Sequence, residues 1–463
     1  MSSKFTKASH GVEQGAEMGG SPQSNRSGRH QVSATSPATS HATELIRSIL
    51  ANYKGPVAAR VADGPVVSGQ VEPACTMVFN SPGALRDLIL YRDLLRLGGD
   101  FLTGAVDVEG DMESLFSITP YLTNLDLSWQ AKLTSLAKAW RLPADKISTT
   151  ADVHRYQYRQ QQNSQASIAH HYDVSNDFYK LWLDPEMVYS CAYFRDADQS
   201  LAAAQADKLD YLCRKLRLMK GQSLLDIGCG WGALILWAAR HYGVRAHGIT
   251  LSDAQYRFAQ ERVKAMGLEN QVKVELRDYR DLPDLPNYDR IVSVGMFEHV
   301  GIDNLGAYFK TVKRVLKPGG LFLNHGITNE NGWRRTVTSQ FVNRYVFPDG
   351  ELTRVSDVTG VMEQSQFEIL DVESLRRHYT LTLRHWLASL EAQHDAAVAA
   401  SSEATYRLWR LYMAGAAYFF NEGSLNIYQI LAGHAHQPLT IPLRRADLYR
   451  MQTVDQGDQS SSS

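Results

Sequence analysis

Residues 224–232 read Leu-Leu-Asp-Ile-Gly-Cys-Gly-Trp-Gly, an apolar run that meets an acidic residue and then glycine at every second position. Such a segment fits a strand that turns sharply into a helix. Positions without a Cβ let the backbone turn where other residues clash, and let a ligand approach it closely. Residues 289–301, Asp-Arg-Ile-Val-Ser-Val-Gly-Met-Phe-Glu-His-Val-Gly, form a second apolar strand that ends on Glu298 and His299. In a doubly wound sheet the carboxyl ends of such strands face one crevice. The two segments therefore predict a ligand loop with a carboxylate and an imidazole beside it.

At 463 residues the sequence is longer than one core normally holds, which predicts two domains with tails. Its 44% hydrophobic and 21% charged residues are those of a soluble globular protein. A net charge of −1 excludes a global attraction to nucleic acid or to an anionic bilayer, so any membrane contact has to come from a local patch. The stretch from Met1 to Lys7 opens no apolar signal segment, and no run reaches the ~20 apolar residues of a span. A cytoplasmic location is expected. Cys75, Cys191, Cys213 and Cys229 lack paired metal-ligand spacing, so free thiols and no metal site are expected.

Residues 1–41 are polar and aperiodic and predict a disordered tail, as do residues 451–463. Residues 42–150 predict a small α/β domain, with a helix over Thr43–Tyr53, β-type runs at Val66–Val71 and Thr76–Asn80, and an amphipathic helix over Pro82–Leu97 carrying Leu85, Leu88, Leu90, Leu94 and Leu97. Composition does not decide whether this domain meets a bilayer or a partner subunit in a homodimer. Residues 151–167, rich in Gln, predict a linker. From 168 to 450 short β runs alternate with helices, the pattern of a Rossmann-like, doubly wound, mostly parallel sheet. Expected strands are Ser223–Ile227, Arg245–Thr250, Val272–Leu276, Arg290–Val294, Leu321–Asn324 and Phe367–Val372. The aromatic and helical insertions at 325–367 and 381–420 predict a lid or substrate pocket.

The third glycine of the loop comes one residue too early for the dinucleotide fingerprint Gly-x-Gly-x-x-Gly. The loop instead resembles the S-adenosyl-L-methionine loop of class I methyltransferases, which makes Asp226, Gly228, Gly230 and Gly232 cofactor-binding candidates. The following strand ends Gly-Ile-Thr-Leu-Ser at 248–252 without the usual carboxylate, so Thr250, Leu251, Ser252 and Gln255 offer a neutral polar edge. Asp278 and Tyr279 are placed to hold the adenine by a hydrogen bond and an aromatic wall.

Further blocks occur in order: Ile-Ala-His-His-Tyr-Asp-Val-Ser-Asn-Asp-Phe-Tyr at 168–179, Met-Val-Tyr-Ser-Cys-Ala-Tyr-Phe at 187–194, the glycine loop, Gly-Ile-Thr-Leu-Ser, Arg-Asp-Tyr-Arg-Asp-Leu at 277–282, and Gly-Met-Phe-Glu-His-Val-Gly. Over 168–432 this set resembles the cyclopropane-fatty-acyl-phospholipid synthase and mycolic acid methyltransferase family. The resemblance implies a class I methyltransferase fold, S-adenosyl-L-methionine as methylene donor, an unsaturated acyl chain of a phospholipid at the membrane's inner face as acceptor, and a bound bicarbonate. It also implies a bicarbonate shell of Cys191, Glu298, His325, Ile327 and Tyr379, with Tyr189 and Ser190 at the methionine end of the cofactor. Asp349-Gly350-Glu351-Leu352-Thr353-Arg354 departs from the family's Gly-Gly-x-Leu-Pro-Ser, and Asn324 and Gly326 from its commonest form around His325.

The implied chemistry suits these residue types. Methyl transfer to an alkene leaves a carbocation, and closing a three-membered ring then requires a base within reach of the new methyl group. Glu298 would accept a proton from bicarbonate, His325 would orient an oxygen and Tyr379 would donate a hydrogen bond, with Cys191 and Ile327 acting through backbone rather than thiol chemistry. Aromatic faces stabilise a cation, and Tyr193, Phe297, Tyr345, Phe347, Trp409 and Tyr418 are candidates. Two other readings stay open: a methyltransferase for another lipid or a small molecule, and a lipid-binding protein without turnover.

Overall fold

The computed structural model describes residues 36–69, 71–91, 93–124, 129–144, 174–348, 350–438 and 441–449. The expected tail up to residue 35, the expected linker 151–167 and the expected tail 451–463 lie outside the described residues, as does the segment 168–173.

The N-terminal sheet consists of β1 (Val57–Val61), β2 (Cys75–Phe79) and β3 (Val106–Gly110), with β1 parallel and β3 antiparallel to the central β2. Helices Pro37–Leu50, Pro82–Tyr91 and Leu94–Leu102 pack on it. The first helix starts before the expected Thr43, because Ser36 accepts the Thr39 N–H and a proline follows the cap. Residues 37–41 therefore belong to this helix and not to the tail. Among the described residues of Val66–Val71 there is no strand: the run makes one isolated bridge, Ala59 to Val67, and leaves Val66 and Val71 exposed. Pro82–Leu97 is two helices and not one, since the Asp93 carboxylate accepts the N–H groups of Leu95 and Arg96 and starts a second helix there.

The main sheet contains β4 (Ser223–Ile227), β5 (Arg245–Thr250), β6 (Val272–Leu276), β7 (Tyr288–Val294), β8 (Leu316–Asn329), β9 (Phe367–Ser374) and β10 (Leu425–His434). Their order is β6-β5-β4-β7-β8-β10-β9, parallel from β6 to β8, with β10 antiparallel to both of its neighbours. Side chains alternate across the strands. Leu224, Val292, Leu321 and Leu323 enter one core, and Leu225, Ile227, Ile291 and Phe322 enter the other. Both faces are apolar, as expected of parallel strands covered by helices on either side. The order in which strands are added reverses between β4 and β7, which opens the crevice at the carboxyl ends of these two strands.

Helices Arg376–Ala392 and Glu403–Glu422 pack against each other and join the N-terminal sheet in one apolar core that includes Ala42, Phe79, Trp182, Trp386 and Trp409. Polar ties fix the junction. Arg384 donates twice to the Glu113 carboxylate at 2.7 Å, and Arg407 donates to Asp107 at 2.7 Å and to the Phe101 carbonyl at 3.2 Å. Among the described residues no helix is long and apolar enough to cross a membrane.

Candidate active site

The glycine loop opens a pocket of about 370 Å³ at the carboxyl ends of β4, β5 and β7. Asp226, Gly228, Gly230, Thr250, Leu251, Gln255, Asp278, Tyr279, Tyr189 and Ser190 all line it. Gly230 has φ +53° and no atom within 4 Å of where a Cβ would stand, so its backbone faces open space. Gly232 does not line the pocket. Its φ is +86° and a Cβ would stand 3.1 Å from Ala259, so this glycine seats helix Ala233–Tyr242 on its neighbour. Thr250 donates to Gln255 Oε1 at 2.9 Å, which orders the neutral edge expected there. Ser252 is spent on capping helix Asp253–Ala265. Asp278 reaches the pocket already bound by Arg280. Burial would raise its carboxyl, but the Arg280 contacts outweigh burial and hold it below the usual carboxylate range.

A buried cation that the sequence reading missed stands in the same wall. Lys208 is 2% exposed and its Nζ donates to Ser190 Oγ at 2.9 Å. Burial draws its ammonium down to about 8 against the pull of Asp184, Cys191 and Asp226. Asp226 is pushed up to about 7 by burial, with Lys208 opposing, and its Oδ1 has no hydrogen-bond partner among the described residues. One helical turn before Lys208, Gln205 donates to the Ser190 carbonyl at 2.9 Å. The signal was present as Gln205 and Lys208 on the apolar face with Ala204, Leu209 and Leu212.

A second cavity, about 610 Å³ and mostly apolar, brings together Cys191, Glu298, His325, Ile327 and Tyr379. It meets the first pocket at Tyr189, Ser190, Val294, Gly295 and His299, which line both. Glu298 sits on the turn Phe297–His299 after β7; its Oε1 accepts the Ile327 N–H at 2.7 Å, and Oε2 has no partner among the described residues. Burial pushes its carboxyl up to about 7. The Ile327 amide thus orients Glu298 and is not free for an anion. Gly326 makes this possible, since a Cβ there would fall 2.0 Å from the Phe297 ring and 3.1 Å from Glu298 Oε1.

His325 is opposed in register by Gln429 of β10, whose Nε2 lies 3.4 Å from His325 Nδ1. With the amide donating there, the neutral ring carries its proton on Nε2, which has no partner among the described residues. Burial first, with Lys208 and Lys215 adding to it, lowers this imidazole well below its usual range. Burial draws His299 down to about 4, so it too is neutral. Cys191 is fully buried, its thiol donates to the Ala192 carbonyl at 3.3 Å, and burial raises it, so it is no thiolate nucleophile.

Of the six aromatic candidates only Phe347 lines this cavity. Tyr193 stacks on His378, Tyr345 packs on Phe341, Tyr418 on Phe116, Trp409 joins Trp182 and Phe297 lies buried under Gly326. Tyr189, Phe341, Tyr412, Phe419 and Phe420 also line it, and the last three lie on helix Glu403–Glu422, whose aromatic residues carry no periodicity that separates core from cavity.

A glycine-rich loop after the first strand of a sheet ordered in this way, with a ligand pocket at the switch point, defines a class I S-adenosylmethionine-dependent methyltransferase. Residues 159–430 match the family model of mycolic acid cyclopropane synthetase. The chain belongs to that family and is an S-adenosylmethionine-dependent enzyme. A probable fatty acid methyltransferase of Pseudomonas putida is 41% identical over 400 residues, covering 85% of this chain and 96% of that protein. The cyclopropane-fatty-acyl-phospholipid synthase of Escherichia coli K12 is 41% identical over 263 residues, 56% of this chain and 66% of that protein. The solved structure of mycolic acid cyclopropane synthase CmaA1 complexed with SAH and CTAB is similar at 34% identity and a TM-score of 0.55, over 58% of this chain and 98% of that one.

Proposed function

We propose that this enzyme adds a methylene group to the cis double bond of an unsaturated phospholipid acyl chain at a membrane surface, forming a cyclopropane ring. The observation that carries this reading is the contact of a cofactor pocket that holds Lys208, Asp226 and Asp278 with a larger, mostly apolar cavity at Tyr189, Ser190, Val294, Gly295 and His299, with a buried carboxylate beside it. S-adenosyl-L-methionine, when bound, supplies an electrophilic methyl group. On this reading the acyl double bond would take that methyl with its own electron pair, S-adenosylhomocysteine would leave with the electrons of the carbon–sulfur bond, and the acyl chain would carry a cation. Loss of one proton from the new methyl group closes the ring, so the acyl chain gains one methylene and loses its alkene.

The residues supply alignment and dryness. Tyr189 and Gly295 bring the two cavities into contact, and apolar walls keep water from the cation. The cavity also suits a bicarbonate. Glu298 Oε2 and His325 Nε2 are buried polar atoms without partners among the described residues, and Tyr379 lines the same cavity. Glu298 would accept from the anion's hydroxyl, while the His325 N–H and the Tyr379 hydroxyl would donate to its oxygens. A bicarbonate held there supplies a base for the proton lost on ring closure.

The near full-length similarity to a protein named a probable fatty acid methyltransferase favours a second reading, a methyl-branched product from the same cation. Expression in a host without cyclopropane lipids, followed by mass spectrometry of the phospholipid fatty esters, separates the two. A product heavier by one methylene with no residual alkene and no added reductant supports the ring. A saturated branch that appears only with a reductant supports the branch, and unchanged unsaturated chains reject both.

Lys208 is assigned to the carboxylate at the methionine end of the cofactor, with Ser190 between them. Lys208→Met is expected to raise the KM for S-adenosylmethionine about tenfold or more, the worth of a hydrogen bond to a charged group, and to leave the KM for lipid unchanged. Initial rates at varied cofactor check it; an unchanged cofactor KM removes the assignment.

A further inference from the structure

The apolar cavity is only partly built by the methyltransferase sheet and its insertions. Leu94, Leu97 and Phe101 of helix Leu94–Leu102, Val108 of β3, and Leu115 and Phe116 of the turn Ser114–Ile118 complete its wall, facing Phe341 and helix Glu403–Glu422. These residues lie outside the stretch 159–430 that the family model matches. The two layers meet more closely than side chains normally allow. A Cβ at Gly415 would stand 2.7 Å from the Phe116 ring, and one at Gly98 would stand 2.7 Å from the Phe341 ring. The wall is also held in place, by the Glu113–Arg384 and Asp107–Arg407 pairs that flank it. A rigid apolar surface that continues from the catalytic groups has the chemistry of a hydrocarbon site, and about 610 Å³ lies in the ~300–1,000 Å³ range of ligand cavities.

We propose that the N-terminal α/β layer is a substrate-binding element in which Leu97, Phe101 and Phe116 set how much acyl chain the cavity accepts. The inference rests on the acyl-chain reading of this cavity. Phe116, laid on the helix backbone at Gly415, fills space that a longer chain would need. Leu97 lines the same cavity, so a larger ring at this position would take up part of its volume.

The test compares the full-length enzyme with Phe116→Ala and Leu97→Trp, on vesicles of palmitoleoyl, oleoyl and eicosenoyl phosphatidylglycerol, and in direct binding of the fluorescent polyene cis-parinaric acid. A methylene in an apolar pocket is worth about tenfold in selectivity. Phe116→Ala is expected to shift the kcat/KM ratio of eicosenoyl over palmitoleoyl chains upward by about tenfold. Leu97→Trp should shift it downward by a similar factor and weaken parinarate binding. S-adenosylhomocysteine binding should stay as in the unsubstituted enzyme, which checks the fold of each variant. Unchanged selectivity and unchanged parinarate binding in folded variants would overturn the proposal. If the unsubstituted enzyme bound parinarate, lost that binding in Leu97→Trp, and yet modified no lipid, the wall would stand and the proposed reaction would fall. Should Phe116→Ala fail to fold, Leu97→Trp alone decides.

Discussion

Glu298→Gln is expected to lower kcat by about 10²- to 10⁴-fold, the usual contribution of a positioned proton acceptor, while S-adenosylhomocysteine still binds. The amide keeps the shape and can still accept from Ile327, so the turn after β7 should hold. What it loses is the charge on an oxygen that is buried and has no partner among the described residues. A pH dependence follows. Burial raises the Glu298 carboxyl to about 7, so below that value the group carries its own proton and cannot accept another. kcat at saturating cofactor should therefore fall as pH drops through about 7, and the residual activity of Glu298→Gln should lack that limb. Asp226, raised to about 7, and Lys208, lowered to about 8, titrate nearby in the cofactor pocket. A limb that survives in Glu298→Gln belongs to groups other than Glu298, these two and the bicarbonate among them, and full activity in that variant removes Glu298 from the reaction.

Gly326→Ala should cost about 10² in kcat, although it adds a single methyl group to a residue that takes no part in the chemistry. The added carbon would stand 2.0 Å from the Phe297 ring, so the turn that carries Glu298 has to move. A shift of about 1 Å is enough for a loss of that size, and overpacking adds about 1–3 kcal/mol of destabilisation. Adding Phe297→Leu to the same chain should return part of the stability by removing the ring. Less activity should return, because Glu298 Oε1 would still lie 3.1 Å from the new methyl. Steady-state rates and a thermal melt of the three proteins check this, and an unchanged kcat in Gly326→Ala overturns the packing role.

Strand ends with strong local chemistry were legible in the sequence. The runs at β4, β5 and β6 have the expected bounds because short apolar segments there are punctuated by glycine or by caps such as Ser252. The five residues Cys191, Glu298, His325, Ile327 and Tyr379 share one cavity, although they are scattered over much of the catalytic region. What stayed hidden depends on tertiary neighbours. β10 follows an aromatic helix after only the short polar break Asn421-Glu422-Gly423-Ser424, in which Gly423, at φ +102°, ends the helix. Gln429 reads as an ordinary polar residue until β10 lies beside β8 and sets it opposite His325. Lys208 shares the apolar face of its helix in the sequence, but its partner Ser190 is set against it only by the fold. The role of Gly326, an unexplained departure in the sequence, follows once Phe297 is seen beneath it.

The placement of β10 between β8 and β9 has a consequence for biogenesis. Both flanking strands leave the ribosome first, so the sheet cannot zip up in order of synthesis; the last strand has to insert into a gap held open for it. Contacts of such long sequence separation form late, after their loop-closure entropy has been met. A nascent chain that ends short of Leu425 lacks the partner of His325 and exposes two unpaired strand edges, so competence arrives only once β10 has been made.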